Sequence, residues 1–77
     1  MARVSDDEGV QAGAAKRDRV LNRWRHDAFI ESFIEKNTTN MGCLASGAEE
    51  ILEALILKRH GAEGLRKHLT QERGAEL

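Results

Sequence analysis

Six side chains that are cationic, or can become so, fall within eleven residues: Lys16, Arg17, Arg19, Arg23, Arg25 and His26, with Trp24 among them. Groups of this kind can neutralise phosphates, and an indole can stack on a base, so the run is a candidate nucleic-acid contact. The same residues also read as a solvated helix face with Trp24 as a core anchor. Lys16, Arg17 and Arg19 fall near an expected helix N-terminus, where a cation costs about a few tenths of a kcal/mol, which hints faintly at a use for them.

Other chemistry is thinner. His60 and His68 stand eight residues apart with Gly61 and Gly64 between them, and His26 belongs to another element. No H-x-x-x-H or E-x-x-H pair exists, so no metal site is expected. Cys43 is the single cysteine, which rules out an internal disulfide, and no histidine or acid near it in sequence would activate it. It reads as a small residue at a helix contact. There is no glycine-rich phosphate loop. Neither an enzyme nor a bound cofactor is expected.

The elements that must hold these residues are helical. Proline is absent, aromatics number three, and 32% of the residues are charged with a formal net charge of −1. That composition favours an all-α protein and gives no global field that would draw it to nucleic acid or anionic lipid. The longest apolar run, 51–57, is interrupted by Glu53 and is far shorter than the roughly 20 residues a membrane span needs. The N-terminal residues lack the apolar stretch of a signal peptide, so a cytoplasmic location and no membrane partner are expected.

The organising stretch is 41–60. Met41, Leu44, Ala45, Ala48, Ile51, Leu52, Leu55 and Ile56 recur at spacings of three and four, the pattern of one helix face. Ser46 and Glu49 stand in the capping-box relation, and Gly61 is placed to end the helix. A first helix is expected over 14–36. Its apolar residues form two groups, Val20, Leu21, Trp24 and Ala28 on one side, Phe29, Ile30, Phe33 and Ile34 on a direction rotated by well over a right angle at about 100° per residue. Either the chain breaks near His26–Asp27 with Asp27 as a new N-cap, or one helix meets two neighbours. Residues 37–40 form a loop in which Asn37 can end the first helix in the left-handed conformation and Thr39 or Asn40 can cap the next. A short third helix is expected over about 62–73. Residues 1–13 read as a flexible arm, although Ser5 and Glu8 also form a possible capping box, 14–73 as one helical domain, and 74–77 as a frayed end.

A connection of this length implies an antiparallel hairpin. It would bring Arg17, Arg19 and Arg23 beside Lys58, Arg59 and His60, with Arg66, Lys67 and His68 following, and gather Glu31, Glu35, Glu49 and Glu50 at the loop end. The candidate partner or nucleic-acid contact is therefore Lys16, Arg17, Arg19, Arg23, Arg25, Lys58, Arg59, Arg66 and Lys67. A helix-turn-helix alignment fails, because Gly42, Gly47 and Gly61 each have unsuitable residues at the flanking positions. Both long helices also carry apolar residues on a second side: Phe29, Phe33, Cys43, Gly47, Ala54 and Leu57. Such a face marks an interface, and pairing two hairpins into a helical bundle would cover it. The sequence thus points to a small non-enzymatic regulatory, adaptor or inhibitor protein acting through helix faces, with a homodimer and a protein partner expected. The alternative is a nucleic-acid-binding regulator that uses the basic residues of 16–26 and 58–68.

Overall fold

The computed structural model describes residues 3–76, and side chains from 12 to 75. Among the described residues there are three helices: α1 (Arg3–Arg23), α2 (Ala28–Lys36) and α3 (Ala48–Glu76). No strand occurs among the described residues, apart from a single bridge between Thr38 and Leu44. No helix among them is long and apolar enough to cross a membrane.

The continuous helix expected over 14–36 is broken. Residues 24–26 turn, and Asp27, in an extended conformation, caps α2 by accepting hydrogen bonds from the backbone N–H groups of Phe29 (3.1 Å) and Ile30 (3.3 Å). The cause is the two-directional apolar pattern. With a break at Asp27, Val20, Leu21 and Trp24 enter the same core as Ile30 and Ile34. Of the two readings open in the sequence, the break is the one adopted. At its other end, α1 continues back to Arg3, through residues read as an arm. Met1 and Ala2 of that arm, and Leu77 of the frayed end, lie outside the described residues.

The second helix was expected from Met41 but begins at Ala48. Gly42 and Gly47 both adopt φ of 83°, a region that side-chain-bearing residues rarely enter. Between them the loop closes on itself: the N–H of Thr39 donates to the Cys43 carbonyl (2.7 Å) and that of Ala45 to the Asn37 carbonyl (2.7 Å). With Ala48 as the first helical residue, the cap position falls on Gly47, and Ser46 lies one residue ahead of it. Asn37 does end α2, but at φ of −109° and not in the left-handed region. Its side chain donates to the Phe33 carbonyl (2.9 Å), as Thr38 Oγ1 does to that of Ile34 (2.8 Å).

Gly61 ends the first part of α3, as its position after the cationic Lys58–Arg59–His60 turn implied. With φ of 78° and ψ of 177° it divides α3 into arms 48–60 and 62–76. Neighbouring turns of α1 meet both arms: Lys16 pairs with Glu49, and Arg19 with Glu72. The second arm thus doubles back, running antiparallel to α1 while the first arm runs alongside it. The core between them consists of Val20, Leu21, Trp24, Ile30, Ile34, Leu52 and Ile56, with Phe33, Leu44 and Leu65 packed against it.

Gly61 occupies a backbone region that is essentially glycine-only, although a Cβ there would meet open space. Gly61→Ala is expected to lower stability by about 1–3 kcal/mol through backbone strain alone, read as a shift in urea midpoint. An unchanged midpoint would mean that the two arms can join as one straight helix.

Candidate functional site

All three histidines of the chain surround Trp24. The ring centres lie 5.6 Å from the indole for His26, 4.8 Å for His60 and 6.0 Å for His68. Nothing in their sequence spacing joins them. The junction at 24–27 and the bend at Gly61 meet in space, and each brings a histidine to the same aromatic ring. The signal available beforehand was that both positions are helix boundaries.

Two buried polar centres flank this ring. On one side, Asp27 is 7% exposed. Besides capping α2, it accepts hydrogen bonds from Arg59 Nε (2.9 Å) and His60 Nε2 (2.7 Å). The hydrogen bond from Arg59 outweighs the cost of burial and, with His60, holds this carboxyl well below the usual range. On the other side, His68 and Glu72 are 5% and 7% exposed. Arg19 and Arg23 both bind Glu72, at 2.7 and 2.8 Å. Burial alone would raise the Glu72 pKa, but these two guanidinium groups bring it below its ordinary value.

The protonation of His68 follows from its partners. Trp24 Nε1 (3.3 Å) and Arg23 Nη1 (2.9 Å) both donate toward His68 Nδ1. An arginine in a protein is always a donor, so Nδ1 must accept and the ring proton sits on Nε2. A second proton would set an N–H against two donors. Burial, followed by the positive charge of Arg23, accordingly depresses the His68 pKa. No group of three or more His, Cys, Asp or Glu side chains among the described residues is arranged to hold a metal ion.

The expected basic end does not assemble as the simple hairpin implied. Arg19 and Arg23 turn to Glu72 on the second arm and not toward Lys58. Arg17 donates to the Gly42 carbonyl (3.1 Å) in the loop and lies 3.1 Å from Asp18, and Lys16 pairs with Glu49. Arg25 reaches Asn22 (2.8 Å) and Glu31 (3.7 Å), Arg59 is held by Asp27, and Arg66 lies 3.5 Å from Glu63. Lys58 and Lys67 are exposed and have no ion pair among the described residues. The physical reason is the bend at Gly61, which brings Glu72 back along α1.

The residues of the expected second apolar face are likewise dispersed. Phe29 is exposed beside Arg59, whereas Phe33 packs against the core. Cys43 lies in the loop against α1, where a Cβ on Gly13 would come within 2.7 Å of its sulfur. Gly47, Ala54 and Leu57 are exposed. Trp24, considered above as a base-stacking residue, is 6% exposed and belongs to the core. Compared with protein-family models, curated proteins and solved structures, the chain matches none.

The pH dependence of stability follows from these partners. His68 has an ordinary pKa of 6.5 that is lowered in the fold, so its contribution is present above that pH and is lost as pH falls below it. Asp27 and Glu72, with ordinary values of 3.8 and 4.5, are also lowered and lose their contributions at still lower pH. All three act in one direction, so acidification should destabilise in two stages. Urea unfolding across pH 7.5 to 3 checks this, and His68→Gln should remove the first stage only. Greater stability near pH 5.5 than at 7.5 that disappears in His68→Gln would show that His68 is protonated in the native state.

Proposed function

We propose that this is a small non-enzymatic regulatory or adaptor protein, of inhibitor type included, that works by protein–protein contact through helix faces. The observation that carries this reading is the division of side chains between inside and outside. Arg19, Arg23 and Arg59 are committed to buried carboxylates. Meanwhile Phe29, Met41, Ile51, Leu57 and Leu69, all large and apolar, stand exposed. Scattered exposed apolar side chains are ordinary, but a 77-residue chain that also keeps so many outside a small core has surface to cover.

Binding of nucleic acid through the basic residues is less favoured, because most of those cations already have carboxylate or carbonyl partners within the chain. Removing one of them to test phosphate contact would disturb the fold instead. Arg23→Gln should cost about 1–3 kcal/mol by leaving Glu72 and His68 short of a donor, whereas Lys58→Gln with Lys67→Gln should stay within about 0.5 kcal/mol. Thermal unfolding separates the two.

The reading itself is tested by placing a photoreactive phenylalanine analogue singly at Phe29, Met41, Leu57 and Leu69 and irradiating the cells that make the protein. A discrete protein adduct, unaffected by nuclease, is expected from at least one position; a protomer-sized adduct would mean a homodimer. Adducts that nuclease destroys, or none at all, would overturn the reading.

A further inference from the structure

One side of the molecule, formed by α2 and the first arm of α3, has a regular apolar build. On α2, Phe29, Phe33 and Lys36 follow at spacings of four and three; on α3, Ile51, Leu55 and Lys58 do the same. Each trio therefore lies along one side of its helix. The two helices run antiparallel. Asp27 at the start of α2 binds Arg59 near the end of the arm, and Asn37 at the far end hydrogen-bonds Ala45 just ahead of it. Phe29, Leu55, Lys58 and Arg59 line a shared groove of about 460 Å³. The Arg59 guanidinium sits 4.7 Å from the centre of the Phe29 ring and closes that end. Phe29 in the groove is 58% exposed, and Ile51, one turn before Leu55 on α3, is 55% exposed.

Each stripe ends on a cation: Lys58, beside Arg59, lines the groove, and Lys36 follows Phe33 by one turn at the opposite end of α2. Neither lysine has an ion pair among the described residues. We infer that this groove docks an amphipathic helix of a partner protein whose ends carry carboxylates, an inference that rests on the interaction-module reading and gives it a surface. Apolar residues at helical spacing on such a partner would lie between the two stripes, and its acidic ends would meet Lys36 and Lys58. A second copy of this chain fits poorly. With cations at both ends, a two-fold contact in either direction sets like charges together. A nucleic-acid strand fits poorly too, because its phosphates repeat along its length while the middle of this groove is hydrocarbon.

The test uses the full chain with the photoreactive residue at Phe29 and, separately, at Leu57 outside the groove, in cells that make the protein. Each is combined with Lys36→Glu/Lys58→Glu and with the charge-keeping Lys36→Arg/Lys58→Arg. Matching melting temperatures establish that the variants fold. The expected result is a protein adduct from position 29 that falls at least tenfold with the glutamates and persists with the arginines. A position-29 adduct indifferent to charge reversal would overturn the acidic partner, and one of protomer mass would replace it with a second copy. An adduct from Leu57 alone would overturn the groove and leave the interaction-module reading standing. Absence from both positions would overturn the groove, and absence from Met41 and Leu69 as well would remove that reading with it.

Discussion

A single carboxylate holds the arrangement together. Asp27 sits where α1 has ended and α2 has not begun, and its two oxygens serve two segments at once. One accepts the first backbone N–H groups of α2, the other takes Arg59 and His60 from the turn just before Gly61. A buried carboxylate without partners is expensive, and this one is nearly enclosed, so the positions of its four donors are not independent. Asp27 therefore ties the junction between α1 and α2 to the last turn of the first arm of α3. In a straight first helix the Asp27 side chain could not accept the Phe29 and Ile30 N–H groups as an N-cap does.

The second polar centre completes what the first begins. Doubling α3 back at Gly61 brings His68 and Glu72 against α1, where Arg19, Arg23 and Trp24 supply every donor they need. No side-chain nitrogen or oxygen buried among the described residues is left without a partner. With seven apolar residues plus Ala48 buried among the described residues, that completeness matters. A core this small tolerates several packings of similar energy, and directional partners on either side of Trp24 narrow the choice.

The same economy shapes the surface. Guanidinium groups drawn inward to Asp27 and Glu72 no longer define a basic patch, and two of the cations that remain outward, Lys36 and Lys58, lie beside exposed hydrocarbon on α2 and α3. Arg59 belongs to both settings, with its Nε on Asp27 and its guanidinium plane over Phe29. The interior network and the candidate groove are thus coupled through one residue. The groove keeps its shape because one of its walls is fixed by a buried ion pair.

Periodicity alone determined much of this. The all-helical class, the helix through Ala48–Ile56, its end at Gly61 and a further helix beyond were legible because spacing of apolar residues and glycine punctuation are local properties. The break at Asp27 was legible as one of two options, since the apolar residues on either side of it face different ways whatever surrounds them. What sequence could not supply was the direction in which the chain leaves Gly61. A glycine permits a reversal without specifying it, and only the reversal carries Glu72 to Arg19 and Arg23 and His68 to Trp24. The loop at 37–40 was legible, but its continuation over 41–47 escaped for a related reason: Gly42 and Gly47, both at positive φ, interrupt a pattern that apolar spacing alone extends back to Met41. The basic end read from a simple hairpin failed on this point, because charge positions along a helix are fixed by sequence while the charges opposite them are chosen by the fold.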